Sequence, residues 1–326
     1  MTTTPHDHAD EPRQSRPSVP LVVFDAGGRP MWKRIGEEGY QYEPELEQIY
    51  MTAQQTIKPI LKYPGAKWNL APWIISHFPA HAHYVEPFFG SGAVFFNKAP
   101  AKHEVINDLS DEIFNLFKVM RDDGERLVSI LGMTAYGRTE YEFSYECTTD
   151  ATERARRLIV RAIQGHGSIG ASREGSWARG LLAGSAIPRR SWLDMPDRAW
   201  AQVQRLRNAE IEHTDAIALI RDMAGSDVLI YADPPYPLGE RKGDLYLVDE
   251  MTDADHAALL DALDAHPGPV VLSGYHCALY DDRLRHWHTR EKQAQAEKGN
   301  TRTEVLWLNQ VCVDRLGYGP LWDIAA

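Results

Sequence analysis

The stretch DVLIYADPPYP, residues 227–237, sets one carboxylate beside two prolines and a tyrosine. The apolar run before Asp233 has the length and composition of a buried strand, and the prolines must end it because proline cannot donate to a strand ladder. Asp233 is therefore predicted at the carboxyl end of a strand. Ligands of open α/β sheets bind at that edge, so Asp233, the turn at Pro234 and the ring of Tyr236 are placed for chemistry. An isolated Asp-Pro pair is more often a turn, so this assignment needs support from the rest of the chain.

A second candidate site lies in VEPFFGSGAVFFN, residues 85–97. A strand ending at Glu86 is followed by Gly90 and Gly92, which make a tight turn where backbone can approach a ligand. About 20 residues further on, a second strand ends beside Asp108, whose carboxylate can accept hydrogen bonds from ribose hydroxyls. The longer glycine pattern of dinucleotide sites is missing, and the acid at Glu86 would repel a phosphate. The stretch therefore predicts a cofactor that contains a nucleoside but no phosphates.

Short strands alternate with helices around both stretches, and this βαβ pattern predicts an α/β fold. One run of the pattern starts near residue 57 and another near residue 211. The predicted elements are strands at HYVEPF, VINDL, the run before Asp233, PVVLSGY and TEVLWLNQV, with helices at DEIFNLFKVMRD and 253–265. Both candidate stretches then fall at strand ends, where a sheet can bring them together.

Charge is distributed unevenly along the chain. The 326 residues carry a formal net charge of -11, yet residues 154–207 hold eleven arginines against three acids, a net +8 that leaves -19 for the rest. An acidic protein with one basic segment suits a polyanionic partner, because guanidinium groups contact phosphates and guanine edges in pairs of hydrogen bonds. The segment predicts a nucleic-acid-binding face. An amphipathic helix with a charged outer face is the plainer alternative for residues 154–161.

The glycine-rich stretch GHGSIGASREGSWARG, residues 165–180, is the part of this segment expected to read bases, because a flexible backbone can follow a groove. The arginines expected to contact DNA are Arg173, Arg179, Arg189 and Arg190. Arg154, Arg156 and Arg157 fall on a predicted helix and are expected to face phosphates or solvent.

Other features bound the class of protein. No apolar run approaches the roughly 20 residues that cross a bilayer, and the amino end has no apolar signal segment, so a cytoplasmic location is expected. Cys147, Cys277 and Cys312 form no CxxC pair, so neither a metal site nor a disulfide framework is expected. Near the amino end, LVVFDAGGRPMWKRI predicts a hairpin around Gly27 and Gly28.

Six motifs occur in an order that resembles the Dam-like DNA adenine-N6 methyltransferases. They are KYPGAK (62–67), VEPFFGSG (85–92), IND (106–108), DPPY (233–236), LSGY (272–275) and TEVLWLN (303–309). The resemblance implies an α/β, Rossmann-like methyltransferase sheet of seven strands, with an antiparallel strand near the end and an inserted, mainly helical target-recognition domain. Two departures are Tyr63, where Dam itself has Trp, and Ala66, which replaces a glycine.

The resemblance also divides the chain and assigns roles. It implies a catalytic S-adenosylmethionine-binding domain (53–120 and 208–326), a target-recognition insert (121–207) and an amino-terminal extension of unknown role (1–52). The implied activity is methyl transfer from S-adenosylmethionine to N6 of a flipped-out adenine in double-stranded DNA. Asp233 and the Pro234 carbonyl would accept the two amine hydrogens, and Tyr236 would stack on the base. The residues expected at the cofactor are Tyr63, Lys67, Glu86, Phe88, Gly90, Gly92, Asp108 and Asp233.

Rival functions share this geometry. A methyltransferase acting on cytosine N4, on an RNA base or on a protein glutamine would present the same amine to the same acid. The arginine segment and the motif order favour DNA over protein. A DNA-binding relative that has lost catalysis is disfavoured because Asp108, Asp233 and Tyr236 are all present. The recognition sequence, the oligomeric state and the existence of a restriction partner do not follow from the sequence.

Overall fold

The computed structural model describes residues 57–166, 175–179, 191–237, 251–295 and 301–317, together with the strands β1 (Leu21–Phe24) and β2 (Pro30–Lys33). The chain forms two compact units, Met1–Gln55 and Thr56–Ala326. In the first unit β1 and β2 pair antiparallel, with Phe24 opposite Pro30. The predicted hairpin around Gly27 and Gly28 is therefore confirmed.

A seven-stranded sheet forms the centre of the second unit. Its strands are β3 (His83–Glu86), β4 (His103–Asn107), β5 (Ala209–Glu212), β6 (Val228–Ala232), β7 (Val270–Gly274), β8 (His288–Gln295) and β9 (Thr301–Leu308). They lie in the order β5-β4-β3-β6-β7-β9-β8. Strands β3 to β7 are mutually parallel, and β9 is antiparallel to both of its neighbours. The predicted Rossmann-like methyltransferase sheet, with one antiparallel strand near the end, is confirmed.

The central strands are covered on both faces, which is why they read as continuous apolar runs. All five residues of β6 are buried. Leu229 and Tyr231 belong to the hydrophobic cluster on one face of the sheet, whereas Val228, Ile230 and Ala232 belong to the cluster on the other face. Because β6 is held from both sides, the turn that follows it starts from a rigid support.

Helices cover both faces of the sheet. They are α1 (Ala71–Ile75), α2 (Asp111–Asp122), α3 (Gly124–Met133), α4 (Arg138–Phe143), α5 (Ala151–Gln164), α6 (Met195–Leu206), α7 (Ala216–Asp222), α8 (Asp253–Asp264), α9 (Ala278–Arg283) and α10 (Gln310–Leu316). Helix α2 has the predicted bounds, and α8 ends one residue before the predicted end. Thr252 begins α8 with a capping box, in which its side chain and that of Asp255 satisfy each other's backbone N–H.

The helices of the predicted insert pack closely on one another and on the sheet. Residues of α2, α3, α5 and α6 share one hydrophobic cluster with a face of the sheet. Helices α3 and α6 approach so closely that a Cβ on Gly124 would lie 2.7 Å from a methyl group of Val203. This part of the chain is mainly helical where the structure describes it, and the domain bounds given above stay a prediction.

The helix arginines correct one expectation from the sequence. Arg156 and Arg157 are buried, at 7% and 6% exposure, and do not face phosphates or solvent. Both donate to Glu153, which comes just before the basic segment, and Arg156 also meets Glu140 at 2.5 Å. A guanidinium group can be buried only when it is paired, and these acids supply the partners. The pair of Arg156 with Glu140 therefore joins α5 to α4.

Candidate active site at the carboxyl edge of the sheet

Asp233 lies directly after β6, where the sequence predicts it. Its Oδ1 accepts hydrogen bonds from Ser273 Oγ at 2.7 Å and from the Tyr236 hydroxyl at 3.3 Å. The Lys67 Nζ lies 2.9 Å from the same oxygen. Ser273 belongs to the neighbouring strand β7, so the carboxylate is held by two strands and by its own turn. These contacts fix the orientation of Asp233 at the edge where ligands bind.

Lys67 joins Asp233 to a second carboxylate, Glu304, that the sequence analysis did not identify. The Lys67 Nζ lies 3.3 Å from Glu304 Oε1 and also donates to the Gly65 carbonyl at 2.9 Å. The side chains of Lys67 and Glu304 are 7% and 4% exposed. Lys67 was expected at the cofactor; the structure places its ammonium group between the partly buried carboxylate of Asp233 and the buried carboxylate of Glu304.

The antiparallel direction of β9 explains how Glu304 reaches this edge. Because β9 runs against β7, its first residues lie beside the last residues of β7, with Val305 opposite Gly274. Glu304 is the one acid in TEVLWLN, and the five residues that follow it, 305–309, are all buried. An acid directly before a run of apolar residues is the signal that could have revealed it.

The side chain of Tyr236 contacts both of these carboxylates. Its hydroxyl donates to Glu304 as well as to Asp233, and its ring meets the ring of Tyr275 edge-on at 4.5 Å. Burial raises the pKa of Tyr236 well above 10, and the charge of Asp233 adds to the shift. The phenol therefore stays protonated and acts as a donor. Stacking of Tyr236 on a base stays a prediction.

The glycine turn after β3 is tied to the end of β4. Asp108 accepts from the Gly90 N–H at 2.7 Å through Oδ2 and from the Ser110 N–H at 2.9 Å through Oδ1. Gly90 and Gly92 have φ values of 50° and 68°, which other residues rarely adopt. A Cβ on Gly92 would also lie 2.6 Å from the rings of Phe89 and Phe96. The turn needs glycine for both reasons.

A shallow pocket opens beside this turn. Its lining is apolar and aromatic apart from polar groups at the strand ends, and consists of Phe89, Ile106, Asn107, Asp108, Ile113, Phe114, Phe117, Ile211 and Glu212. Tyr63 lies against the turn, with its ring 3.4 Å from the position that a Cβ on Gly90 would take. Trp68 donates through Nε1 to Ser91 at 3.1 Å. A flat aromatic ring system with an attached sugar fits such a surface.

Glu86 differs from the expectation in its charge. It is 2% exposed and accepts from the Tyr84 hydroxyl at 2.6 Å. Burial raises its pKa to about 8, against the opposing effect of the Tyr84 hydrogen bond. Glu86 is therefore mostly neutral at pH 7, and the argument that its charge would repel a phosphate does not hold. Phe88 is partly buried and packs on the second hydrophobic cluster. The places of both residues at the cofactor stay predictions.

Of the arginines expected to contact DNA, the structure describes Arg179, which is exposed. Arg173, Arg189 and Arg190 lie outside the described residues. Gly165 and Trp177 form an antiparallel bridge, so Trp177 lies beside the residue that follows α5. Arg138 lies over the Trp177 ring, with its Cζ 5.3 Å from the ring centroid. DNA contact by these arginines stays a prediction.

In the described ranges no group of three or more His, Cys, Asp or Glu side chains could hold a metal ion. Among the helices given above, none is both long and apolar enough to cross a bilayer.

Sheet order, glycine turn and Asp-Pro-Pro-Tyr turn together define the class of the Rossmann-like methyltransferases. Residues 63–163 match the family of D12 class N6 adenine-specific DNA methyltransferases. The resemblance to Dam-like enzymes inferred from the motifs is thereby confirmed.

Similar proteins have names in the same class. The type II methyltransferase M1.LlaDCHI of Lactococcus lactis subsp. cremoris is 41% identical over 76 residues, which cover 23% of this chain and 26% of the relative. The DNA adenine methylase of Serratia marcescens is 25% identical over 249 residues, 70% of this chain and 87% of the relative. The match thus spans about a quarter of the Lactococcus protein but most of the Serratia one.

Solved structures to which this chain is similar include the magnesium protoporphyrin IX methyltransferase ChlM from Synechocystis PCC 6803 with bound SAM. It is 11% identical, covers 85% of this chain and 88% of its own, and has a TM-score of 0.32. A methyltransferase described as yhhF from Escherichia coli is 11% identical, covers 89% and 99%, and has a TM-score of 0.30.

Proposed function

We propose that this protein is a site-specific DNA methyltransferase that transfers a methyl group from S-adenosylmethionine to N6 of adenine. The observation that carries the proposal is the fixed Asp233 carboxylate at the end of β6, on the strand adjacent to β3 and its glycine turn. Parallel neighbouring strands end at one edge, so acid and cofactor turn open onto the same space. The match of residues 63–163 to an adenine-specific family supports adenine as the target.

The chemistry of the pocket suits the cofactor. S-adenosylmethionine, when bound, supplies a methyl group on a positively charged sulfur. Asp108 would accept hydrogen bonds from the ribose hydroxyls, because a carboxylate oxygen can accept more than one hydrogen bond. The aromatic and aliphatic lining would hold the adenine ring by apolar contact. The positive φ of Gly90 and Gly92 sets the shape of the tight turn beside the pocket.

The protein's part in the reaction is to make a poor nucleophile attack. The lone pair of an adenine amine is delocalised into the ring, so N6 must become pyramidal before it can bond to carbon. Three donors meet Asp233 Oδ1, and we assign Oδ2 and the Pro234 carbonyl to the two N6 hydrogens. With the methyl donor bound, Oδ2 would take the proton that N6 sheds once it has gained the methyl group. Acceptors fixed in advance stabilise the developing charge without reorganisation.

The target base must leave the duplex to reach this edge. Unstacking costs a few kcal/mol, and contact with the rings of Tyr236 and Tyr275 offsets part of that cost. We assign contacts with double-stranded DNA to Arg173, Arg179, Arg189 and Arg190, with no metal ion or membrane involved. A DNA substrate is compatible with the cytoplasmic location expected from the sequence.

A labelling experiment tests the proposal. The protein is incubated with unmethylated plasmid and S-adenosylmethionine carrying a radiolabelled methyl group, and the digested nucleosides are separated. We expect the label in N6-methyladenine within one sequence context. Label in N4-methylcytosine, or transfer only to RNA or protein, would replace the proposed substrate. No transfer to any of them would leave a catalytically silent DNA-binding protein.

A further inference from the structure

Two carboxylates share one ammonium group in the candidate site. The Lys67 Nζ lies 2.9 Å from Asp233 Oδ1 and 3.3 Å from Glu304 Oε1, and the Tyr236 hydroxyl donates to both acids. Building on the proposed function, we infer that Glu304 is a positioning residue. Its negative charge holds Lys67 and Tyr236 and offsets the charge of Lys67, so that Asp233 remains an effective anion for the reacting amine.

The physical reason for this role is the net charge of Lys67, Asp233 and Glu304 taken together. Lys67 and Asp233 alone form a neutral pair, which attracts a developing positive charge on N6 only weakly. Glu304 brings the three-residue group to a net charge of -1, and buried charges act through a low effective dielectric. Tyr236 adds no charge, because burial and the nearby acids keep its phenol protonated. Glu86 lies within electrostatic reach of Asp233, and burial raises its pKa to about 8.

Glu304 is also placed where its charge can be removed without breaking the sheet. Its backbone pairs with Lys292 in the ladder of β8 and β9, and this pairing does not involve the side chain. Glutamine has nearly the same shape and can still accept from the Tyr236 hydroxyl. The Glu304→Gln variant therefore separates the charge of Glu304 from its hydrogen bond.

The first measurement is the rate of a single turnover with enzyme in excess over unmethylated plasmid. We expect Glu304→Gln to slow methyl transfer by about 10-fold to 100-fold, with the affinities for DNA and cofactor unchanged. Glu291→Gln is the matched control, because Glu291 is exposed on β8 and pairs with His276. Glu304→Asp, which keeps the charge, should recover part of the lost rate. A Glu304→Gln enzyme with the parent rate would overturn the inference.

A double variant distinguishes a charge effect from simple damage. Lys67→Met should slow the parent enzyme, because Lys67 holds the Asp233 carboxylate in place and its loss leaves Asp233 and Glu304 as neighbouring like charges. The same change added to Glu304→Gln should instead raise the rate, because it returns the group to the single charge of Asp233. If the two losses multiply, Glu304 does not act through the charge of Lys67 and the inference fails.

The pH dependence of thermal unfolding tests the same group without cofactor or DNA. In Lys67→Met the acids Asp233 and Glu304 lack their shared cation, so the folded protein should take up a proton and its Tm, relative to the parent, should rise as pH falls from 8 to 5. Lys67→Met with Glu304→Gln should lose this rise. Lys292 and Arg302, on the same face of the hairpin as Glu304, stay unchanged in all variants.

These outcomes separate the inference from the proposed function. Identical pH profiles for Lys67→Met and the parent would show that the three residues do not form one ionic group, whatever the protein methylates. A parent protein that transfers no methyl group would overturn the proposed function and the catalytic role of Glu304 with it. Normal methylation of adenine together with an unaffected Glu304→Gln enzyme would overturn the inference alone.

Discussion

At the scale of single residues, the candidate site is arranged around Asp233, whose Oδ1 meets a lysine, a serine and a tyrosine from three parts of the chain. A lone carboxylate on a turn would rotate freely. Here the three donors restrict the rotation of the side chain. Ser273 is itself held, because its Oγ lies 3.1 Å from the buried Tyr231 hydroxyl. The acid is therefore held before any substrate arrives, which is what electrostatic preorganisation requires.

The Asp233→Asn substitution tests this role. The amide keeps the shape of the side chain but is a weaker acceptor and carries no charge, so we expect single-turnover methyl transfer to fall by at least about 100-fold. The fold should persist, since Lys67 keeps its contact with Glu304. Circular dichroism and thermal melting provide the control. A variant that melts like the parent and still transfers methyl groups at the parent rate would show that another group accepts the proton.

Asp108 holds the glycine turn and is proposed to bind the cofactor. Asp108→Ala removes the acceptor of the Gly90 and Ser110 N–H groups together with the expected ribose acceptor. Hydrogen bonds to a charged group contribute about 1.5–3 kcal/mol, so calorimetry should show S-adenosylmethionine binding weakened by that amount. Asp111→Ala is a nearby exposed control. Unchanged affinity in Asp108→Ala would move the cofactor away from this turn.

At the scale of elements, strand ends could be predicted from the sequence, but the partners of the arginines could not. The apolar run before Asp233 stops at prolines, and the strand before Gly90 stops at a glycine turn, so both ends are visible locally. Glu153 is close to Arg156 and Arg157 in the chain, but other partners are far away: Glu112 on α2 meets Arg161 on α5 at 2.8 Å. A count of charges within one segment cannot detect neutralisation by another helix.

Glu304 was missed for a related reason. Its motif was identified, yet its position beside Lys67 depends on the direction of β9 in the sheet. Local pattern predicts that a strand exists and which residues alternate along it. Strand direction is set by the packing of the whole sheet, and so are the distances between side chains on separate strands.

The last helix of the predicted insert is anchored by a buried ion pair that can be tested. Arg205 on α6 makes two hydrogen bonds to Glu104 on β4, which also meets Lys98 at 2.5 Å. Although burial opposes ionisation, the bonds from Arg205 lower the pKa of Glu104 to about 2. Removing one partner of a buried pair costs about 3 kcal/mol or more, so Arg205→Ala should lower the free energy of unfolding in urea by that amount.

Arg207→Ala is the matched control for Arg205, because Arg207 lies two residues further on and is exposed. It should change stability by less than about 0.5 kcal/mol. Equal losses in the two variants would mean that the ion pair does not anchor α6.

At the scale of the whole molecule, stability should depend on pH through Glu86. The folded protein holds a proton on this acid up to about pH 8, whereas the ordinary value is 4.5. The folded state therefore binds more protons between these values. The stabilisation is complete below pH 4.5 and is lost as pH rises to about 8, at roughly 1.4 kcal/mol per pH unit.

Urea unfolding of the parent and of Glu86→Gln at several pH values measures this effect. The glutamine cannot ionise, so the parent should lose stability relative to Glu86→Gln as pH rises from 5 to 8. Comparing the two proteins cancels the titration of histidines common to both. Parallel curves would mean that Glu86 is ionised in the folded protein and that its pKa is not raised.

The proposed DNA binding is a second property of the whole molecule, since the protein is acidic while the proposed partner is a polyanion. Each neutralised phosphate contributes roughly -0.9 to the slope of log affinity against log salt. If Arg179 contacts a phosphate, Arg179→Ala should flatten that slope by about one unit; if it reads a base, the slope should hold while discrimination at one position falls by ~1–3 kcal/mol. Arg285→Ala, exposed and on a different segment, is the control. Parent-like binding and discrimination by Arg179→Ala would exclude it from the interface.

The position of β9 has a consequence for synthesis. It is the last strand of the sheet in chain order, yet it lies between β7 and β8, and it brings Glu304 to the site. A nascent chain that has emerged only as far as residue 300 has every motif of the glycine turn and of the Asp-Pro-Pro-Tyr turn, but β7 still lacks its neighbour and Lys67 its second acid. Translation thus completes the candidate site after the parts proposed to bind the cofactor, so an unfinished chain on the ribosome does not yet contain the full set of charges.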